Sequence, residues 1–193
     1  MTRHILISIR MLLVCTVVLG ILYPLVVGGI AAVAFAHAAG GSLVTSPSGT
    51  VIGSEFIGQL WTSPKYFHGR PSAAGAGYDA MASGGSNLGP TSRTLRDQIA
   101  SRIATAVAED PAIRGVVPAD MVTASGSGLD PDISPANAYA QIPRVAKARG
   151  VAENVLAALV ARQVVGREFG VLGEPRVNVL QLNMALDALP AAH

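Results

Sequence analysis

One long apolar segment near the amino terminus constrains the fold of this chain more than any other feature. Residues 11–36 include no ionisable side chain except Cys15 and Tyr23. At about 1.5 Å rise per residue, a helix of this length exceeds the roughly 30 Å hydrocarbon core of a bilayer. The segment therefore predicts a transmembrane anchor. A cleaved secretory signal is the alternative, because residues 34–36 read Ala-Phe-Ala, but signal cores usually span only about 7–15 apolar residues.

The charge distribution predicts the orientation of the anchor. Arg3 and Arg10 precede it, and the remaining 12 basic residues balance the 12 acidic ones. Because positive charge stays cytoplasmic, we expect a cytoplasmic N terminus (1–10), the anchor (11–36), a tether (37–52) and an extracytoplasmic, periplasmic domain (53–193). The pI near 9.0 thus comes from the two basic residues before the anchor, which set its orientation in the membrane. No basic stripe follows the anchor, so nucleic acid is excluded as a partner.

Small residues recur every fourth position along the anchor. In lipid, small side chains let a second helix approach closely, and packing then drives association. The anchor as a whole is expected to contact membrane lipid. The small residues predict, in addition, a face that binds a partner helix, formed by Thr16, Gly20, Pro24, Gly28 and Ala32.

The remainder reads as a single small α+β domain. Capping residues and apolar spacing predict four helices. The first runs from Thr91 or Ser92 to Asp110 and has Leu95, Ile99, Ile103 and Val107 on one side. The second begins at Ser134, breaks before Pro143 and ends at Gly150; the third covers residues 151–165, and the fourth is capped by Asn178. Strand signals are weak.

The sequence predicts no catalytic residue, bound cofactor or metal site in this chain. The glycine-rich residues 83–89 lack the Gly-Lys-Ser/Thr of a phosphate-binding loop, so a tight turn is the better interpretation. The carboxylates Asp130 and Asp132 are interpreted as structural. The alternative function is a membrane-anchored extracytoplasmic hydrolase that uses Ser127 as nucleophile and His68 as base.

Five strings, in order along the chain, carry a specific resemblance. They are YFHGRPSA (66–73), SGGSNLG (83–89), SGSGLDP (125–131), QIPRVAKARG (141–150) and GEPRVNVL (173–180). Together they resemble the C-subunit family, KdpC, of the bacterial Kdp potassium-transporting ATPase, over the chain from the anchor to about Asp187. The family commonly has His where this chain has Asp132.

The resemblance implies a non-catalytic accessory subunit of an ATP-driven, high-affinity potassium uptake complex in the inner membrane. The family's C subunit is needed for assembly and is described as a catalytic chaperone that raises the ATP affinity of the ATPase subunit. The implied partners are the channel-like subunit KdpA, the P-type ATPase subunit KdpB and the small single-helix subunit KdpF, so that ATP and potassium are handled by the complex. This chain lacks the Asp-Lys-Thr-Gly-Thr phosphorylation motif.

The orientation limits what the domain can do, because an extracytoplasmic domain cannot touch a nucleotide bound inside the cell. We therefore expect it to act mainly at the potassium entrance, with any effect on ATP transmitted indirectly. Structural or interface roles are predicted for residues within or beside the five strings: Arg70, Asn87, Asp130, Gln141, Arg144, Arg149, Arg176 and Asn178.

Overall fold

The computed structural model describes residues 2–46, 48–113, 115 and 117–189. Residues 114, 116 and 190–193 of the predicted extracytoplasmic domain therefore lie outside the described ranges. The chain divides into two compact units, Met1–Ile52 and Gly53–His193. Each unit is described by itself.

The first unit is dominated by one long helix. The helix comprises α1 (Thr2–Val17), a π-helical turn (Val18–Leu22) and α2 (Tyr23–Ala34). It is followed by α3 (Ala36–Ala39) and β1 (Leu43–Thr45), which pairs with β2 (Val51–Ser54), a strand that begins in this unit and ends in the second. Over Thr2–Ala34 it is long and apolar enough to cross a membrane, and it is the one such helix in the described residues. A candidate membrane helix followed by a small mixed domain is the predicted architecture, which is thereby confirmed.

The π-helical turn has a local cause in the sequence. Pro24 has no N–H group, so it cannot donate to the carbonyl oxygen of Gly20 as an α-helix requires. The N–H of the preceding residue, Tyr23, donates to the carbonyl oxygen of Val18, five residues back, which is the hydrogen bond of a π-helix. An extra residue in this turn accommodates the proline without ending the helix.

The helices of the second unit follow the capping signals. They are α4 (Arg93–Glu109), α5 (Ala119–Val122), α6 (Pro135–Ala140), α7 (Ile142–Arg149), α8 (Glu153–Gln163) and α9 (Val179–Asp187). Ser92, Ser134 and Asn178 each accept a hydrogen bond from a first-turn N–H. The predicted break before Pro143 falls at Gln141, between α6 and α7.

The core lies between the helices α6 to α9 and a three-stranded antiparallel sheet. The sheet has the order β3 (Asp132–Ile133), β5 (Arg176–Asn178), β4 (Val164–Val165), and Val177 of the central strand faces Ile133 on one side and Val164 on the other. Fully buried side chains include Phe67, Leu156 and Leu182. The predicted apolar side of α4 does not join this core: none of its residues is buried, and Ile103 is 39% exposed.

Residues 55–92 are largely irregular but make close contacts with residues 123–131. A Cβ atom at Gly85 would lie 2.8 Å from the carbonyl oxygen of Gly126, and one at Gly128 would lie 2.7 Å from the backbone nitrogen of Ala74. These glycines therefore allow two loops to touch where no side chain would fit. The segment 83–89 is a turn packed against a second loop, as its composition indicates.

Candidate functional site

The polar residues predicted from the sequence fall into separate clusters within the second unit. One cluster joins the two irregular loops. Arg70 donates to Asp130 at 3.1 Å, and the hydroxyl of Tyr78 donates to the carbonyl oxygen of Arg70 at 2.7 Å. Burial, and then the negative charge of Asp130, raise the pKa of Tyr78 to about 12. Tyr78 therefore remains a neutral donor at physiological pH.

Gln141 is the centre of a second, buried cluster. Its carbonyl oxygen accepts from the backbone N–H of His68 at 2.7 Å and from Arg144 at 2.7 Å. Its amide nitrogen donates to the carbonyl oxygen of His68 at 3.0 Å and to Asn137 at 2.8 Å. One side chain at the helix break thus satisfies the backbone of residue 68 and joins that loop to α6 and α7.

Two further polar side chains, which the sequence did not single out, bond to groups beside this cluster. Asp120 accepts from the N–H and hydroxyl of Ser134, at 2.7 and 3.0 Å, and from Asn137 at 3.1 Å. Asn183 bonds both the N–H and the carbonyl of Phe67, each at 2.9 Å. The available signal for Asn183 was an amide on the apolar side of α9, next to Leu182.

Arg144 lines a cleft of about 210 Å³ beside α4. Its side chain is only 9% exposed; it donates to the carbonyl oxygen of Pro64 at 2.8 Å and lies 3.6 Å from Glu109. Burial lowers the pKa of Arg144, while Glu109 opposes that shift. Burial, followed by the charge of Arg144, also lowers the pKa of His68 in the same cleft.

Arg149 organises the end of α7. It donates to the carbonyl oxygen of Lys65 at 2.7 Å and to Asp187 at 2.6 Å. Its guanidinium carbon lies 4.8 Å from the centroid of the Tyr66 ring, whose hydroxyl donates to Asp187 at 3.1 Å. The arrangement ties the loop before Phe67 to the C-terminal ends of α7 and α9.

Arg176 and Asn178 hold the central strand to its surroundings. Arg176 pairs with Asp132 at 3.2 Å and with Glu168 at 3.1 Å. Asn178 caps α9 and donates to the carbonyl oxygen of Glu55 at 2.9 Å. Burial, and then the neighbouring Asp130, raise the pKa of Asp132, whereas Arg176 lowers it.

The structure does not bring the two proposed hydrolase residues together. The Nε2 atom of His68 contacts the carbonyl oxygen of Ser63 at 3.0 Å, while the hydroxyl oxygen of Ser127 accepts from the N–H of Leu129 at 3.1 Å. Within the described residues, no hydrogen bond links His68 to Ser127, and no group of three potential metal ligands forms. A nucleophile and base need such contact.

Comparison with known proteins places nearly the whole chain in one family. The model of the family described as "K+-transporting ATPase, c chain" (KdpC) matches residues 5–188. The chain is 57% identical to the potassium-transporting ATPase KdpC subunit of Caulobacter vibrioides (strain NA1000 / CB15N), over 90% of this chain and 87% of that one. It is 54% identical to the KdpC subunit of Gemmatimonas aurantiaca, over 99% of this chain and 96% of that one. It is 50% identical to the KdpC subunit of Koribacter versatilis, over 97% of this chain and 95% of that one.

Proposed function

This chain belongs to the KdpC family of K+-transporting ATPase c chains, and on that premise we propose that it is a non-catalytic accessory subunit needed to assemble and stabilise a potassium-uptake complex. The observation that carries the proposal is the family match over residues 5–188. In this proposal the phosphorylated aspartate belongs to the ATPase subunit, KdpB, and the potassium path to the channel-like subunit, KdpA.

The N-terminal helix docks against membrane helices of these partners or of the small subunit KdpF. One observation supports the proposed face: the hydroxyl of Thr16 donates to the carbonyl oxygen of Leu12 at 2.8 Å, so it needs no acceptor on a partner helix. A face of Thr16, Gly20, Pro24, Gly28 and Ala32 would let a partner backbone approach closely.

The second unit lies on the extracytoplasmic side of the inner membrane and acts where potassium enters the complex. Arg3 and Arg10 at the start of the helix support this orientation through the positive-inside tendency. From that side the unit cannot contact ATP. A rise in the ATP affinity of the ATPase subunit, which the family resemblance implies, is therefore transmitted through the membrane helices.

A deletion assay tests the accessory role. The complex is purified from cells with and without this chain, and potassium-stimulated ATP hydrolysis and its apparent ATP affinity are compared. We expect the complex to lose stimulated hydrolysis without the chain, and the purified chain alone to hydrolyse no ATP. Full activity in the deleted complex would overturn the proposal. A complex that contains the Ser127→Ala chain is the control. We expect it to retain potassium-stimulated ATP hydrolysis, because no hydrolytic role is assigned to Ser127.

A labelling assay tests the orientation. A cysteine is placed at the exposed Ser86 in a Cys15→Ser background and treated with a membrane-impermeant maleimide in spheroplasts. We expect labelling before permeabilisation, whereas a control cysteine at Thr2 should label only afterwards. The reverse pattern would place the domain in the cytoplasm.

A further inference from the structure

Residues 61–66 form a short surface segment, here termed the strap, that is held by basic side chains. Three consecutive carbonyl oxygens each accept from a side-chain nitrogen: Ser63 from His68 at 3.0 Å, Pro64 from Arg144 at 2.8 Å and Lys65 from Arg149 at 2.7 Å. Two of these donors lie on α7. The strap is thus attached to the domain through its backbone, by groups that are cationic or can become so.

Few apolar contacts supplement these bonds. Thr62, Pro64 and Lys65 are exposed. Only Trp61 and Tyr66, at the two ends, pack against the core, and their ring centroids lie 4.8 Å apart. A segment with little buried apolar surface depends strongly on its hydrogen bonds to stay in place.

The charge of His68 decides how it meets Arg144, not whether it can donate to Ser63: the bond to Ser63 forms with a neutral or a charged ring and by itself favours the charged one. The Nε2 atom of His68 must carry hydrogen to donate to Ser63, and it lies 3.5 Å from the Nη1 atom of Arg144. A second proton, on Nδ1, would make the ring a cation at this distance from a guanidinium. Two like charges so close in a partly buried site repel strongly.

The other charged groups around His68 do not cancel this repulsion. The cleft around it is lined by charged side chains from both sides: Arg102, Glu109 and Asp110 at α4, and Arg144 and Lys147 of α7. Glu109 is the anion that favours a charged His68, but its side chain is 45% exposed, so water screens its effect. The basic groups of α7 face the same space.

We infer that the strap is a pH-sensitive element of this domain, which acid releases from α7 by protonating His68. Burial and Arg144 hold the pKa of His68 below its ordinary value of 6.5, so release requires a pH below that value. Because the domain is proposed to lie outside the cytoplasm, the strap would sense the external medium. That consequence rests on the proposed function, whereas the release itself does not.

Trp61 provides a direct reporter, since it is the only tryptophan of the chain and lies within the strap. The purified full-length chain in detergent is titrated from about pH 8 to about pH 5, the range in which histidine changes charge. Fluorescence emission and acrylamide quenching are recorded. We expect one transition, towards a more quenchable Trp61, with its midpoint below that of free histidine.

Three variants identify the group responsible. His68→Gln keeps a donor for Ser63 without a titratable ring and should abolish the transition, whereas His4→Gln, a matched control in the N-terminal helix, should leave it unchanged. Arg144→Gln should raise the midpoint, and circular dichroism shows whether that variant is folded; if it is not, His68→Gln decides alone. The same transition in His68→Gln, or no transition in the wild type, would overturn the inference. Neither result would affect the accessory role, which the deletion assay tests separately.

Discussion

Asn183 gives the sharpest test of how this domain is held together. The residue is 1% exposed, and its side chain supplies both hydrogen-bond partners of the backbone of Phe67, which is itself fully buried. Asn183→Leu preserves the approximate size of the side chain but leaves one N–H and one carbonyl unpaired. Each such group costs about 1–3 kcal/mol, so we expect the free energy of unfolding to fall by about 2–6 kcal/mol. That is a large share of the roughly 5–15 kcal/mol typical of a domain.

Urea unfolding in detergent, followed by the fluorescence of Trp61, measures this loss. Gln181→Leu is the matched control, because it makes the same change at an exposed position of the same helix; we expect a change within about 0.5 kcal/mol there. If Asn183→Leu also stays within about 0.5 kcal/mol of the wild type, with an unchanged dependence on urea, the argument that these two bonds stabilise the fold is refuted.

Three further predictions concern pH, a close contact and the membrane helix. Because the pKa of His68 is lowered in the folded chain, the unfolded chain alone takes up a proton as the pH falls below 6.5; urea midpoints should therefore decrease with acid, and less so in His68→Gln. Gly128→Ala should destabilise by about 1–3 kcal/mol, because φ is +69° and backbone lies 2.7 Å from the added Cβ, whereas Gly126→Ala, with open space, should change the urea midpoint little. Gly28→Ile should reduce co-purification of the complex, while Gly29→Ile, about 100° around the helix, should not; equal effects would argue against the proposed face.

Features set by neighbouring residues were predictable from the sequence. Ser92, Ser134 and Asn178 cap helices because their side-chain oxygens reach the N–H group three residues ahead. Gly150 ends α7 with φ of +68°, a conformation that glycine adopts without cost. These outcomes depend on a few consecutive residues, so the sequence contains all the information they need.

Features set by distant residues were not predictable. Asn183 and Phe67 are 116 positions apart, and no local pattern links an amide on α9 to that backbone. The apolar spacing of Leu95, Ile99 and Ile103 predicted a helix correctly but did not show that its apolar side would remain partly exposed. Periodicity reports which side of a helix is apolar, whereas burial depends on whether another element covers that side.

The residues predicted to have structural or interface roles can be sorted between the two by their contacts. Their side chains are nearly all engaged within the domain: Arg70, Asp130, Gln141, Arg144, Arg149, Arg176 and Asn178. We expect substitution of the buried members, such as Gln141, to weaken the fold, so loss of assembly in these variants would not by itself report on a partner. Asn87 differs, because it is exposed, has φ of +51° and makes no side-chain hydrogen bond among the described residues.

A residue in these strings can therefore matter for either of two physical reasons, and loss of complex activity alone does not separate them. A residue that maintains the fold lowers the free energy of unfolding of the isolated chain when it is replaced, and assembly fails as a consequence. A residue that contacts a partner lowers assembly while the isolated chain remains as stable as the wild type. The contacts of Gln141 assign it to the first class, and the exposed side chain of Asn87 makes it the place to look for the second.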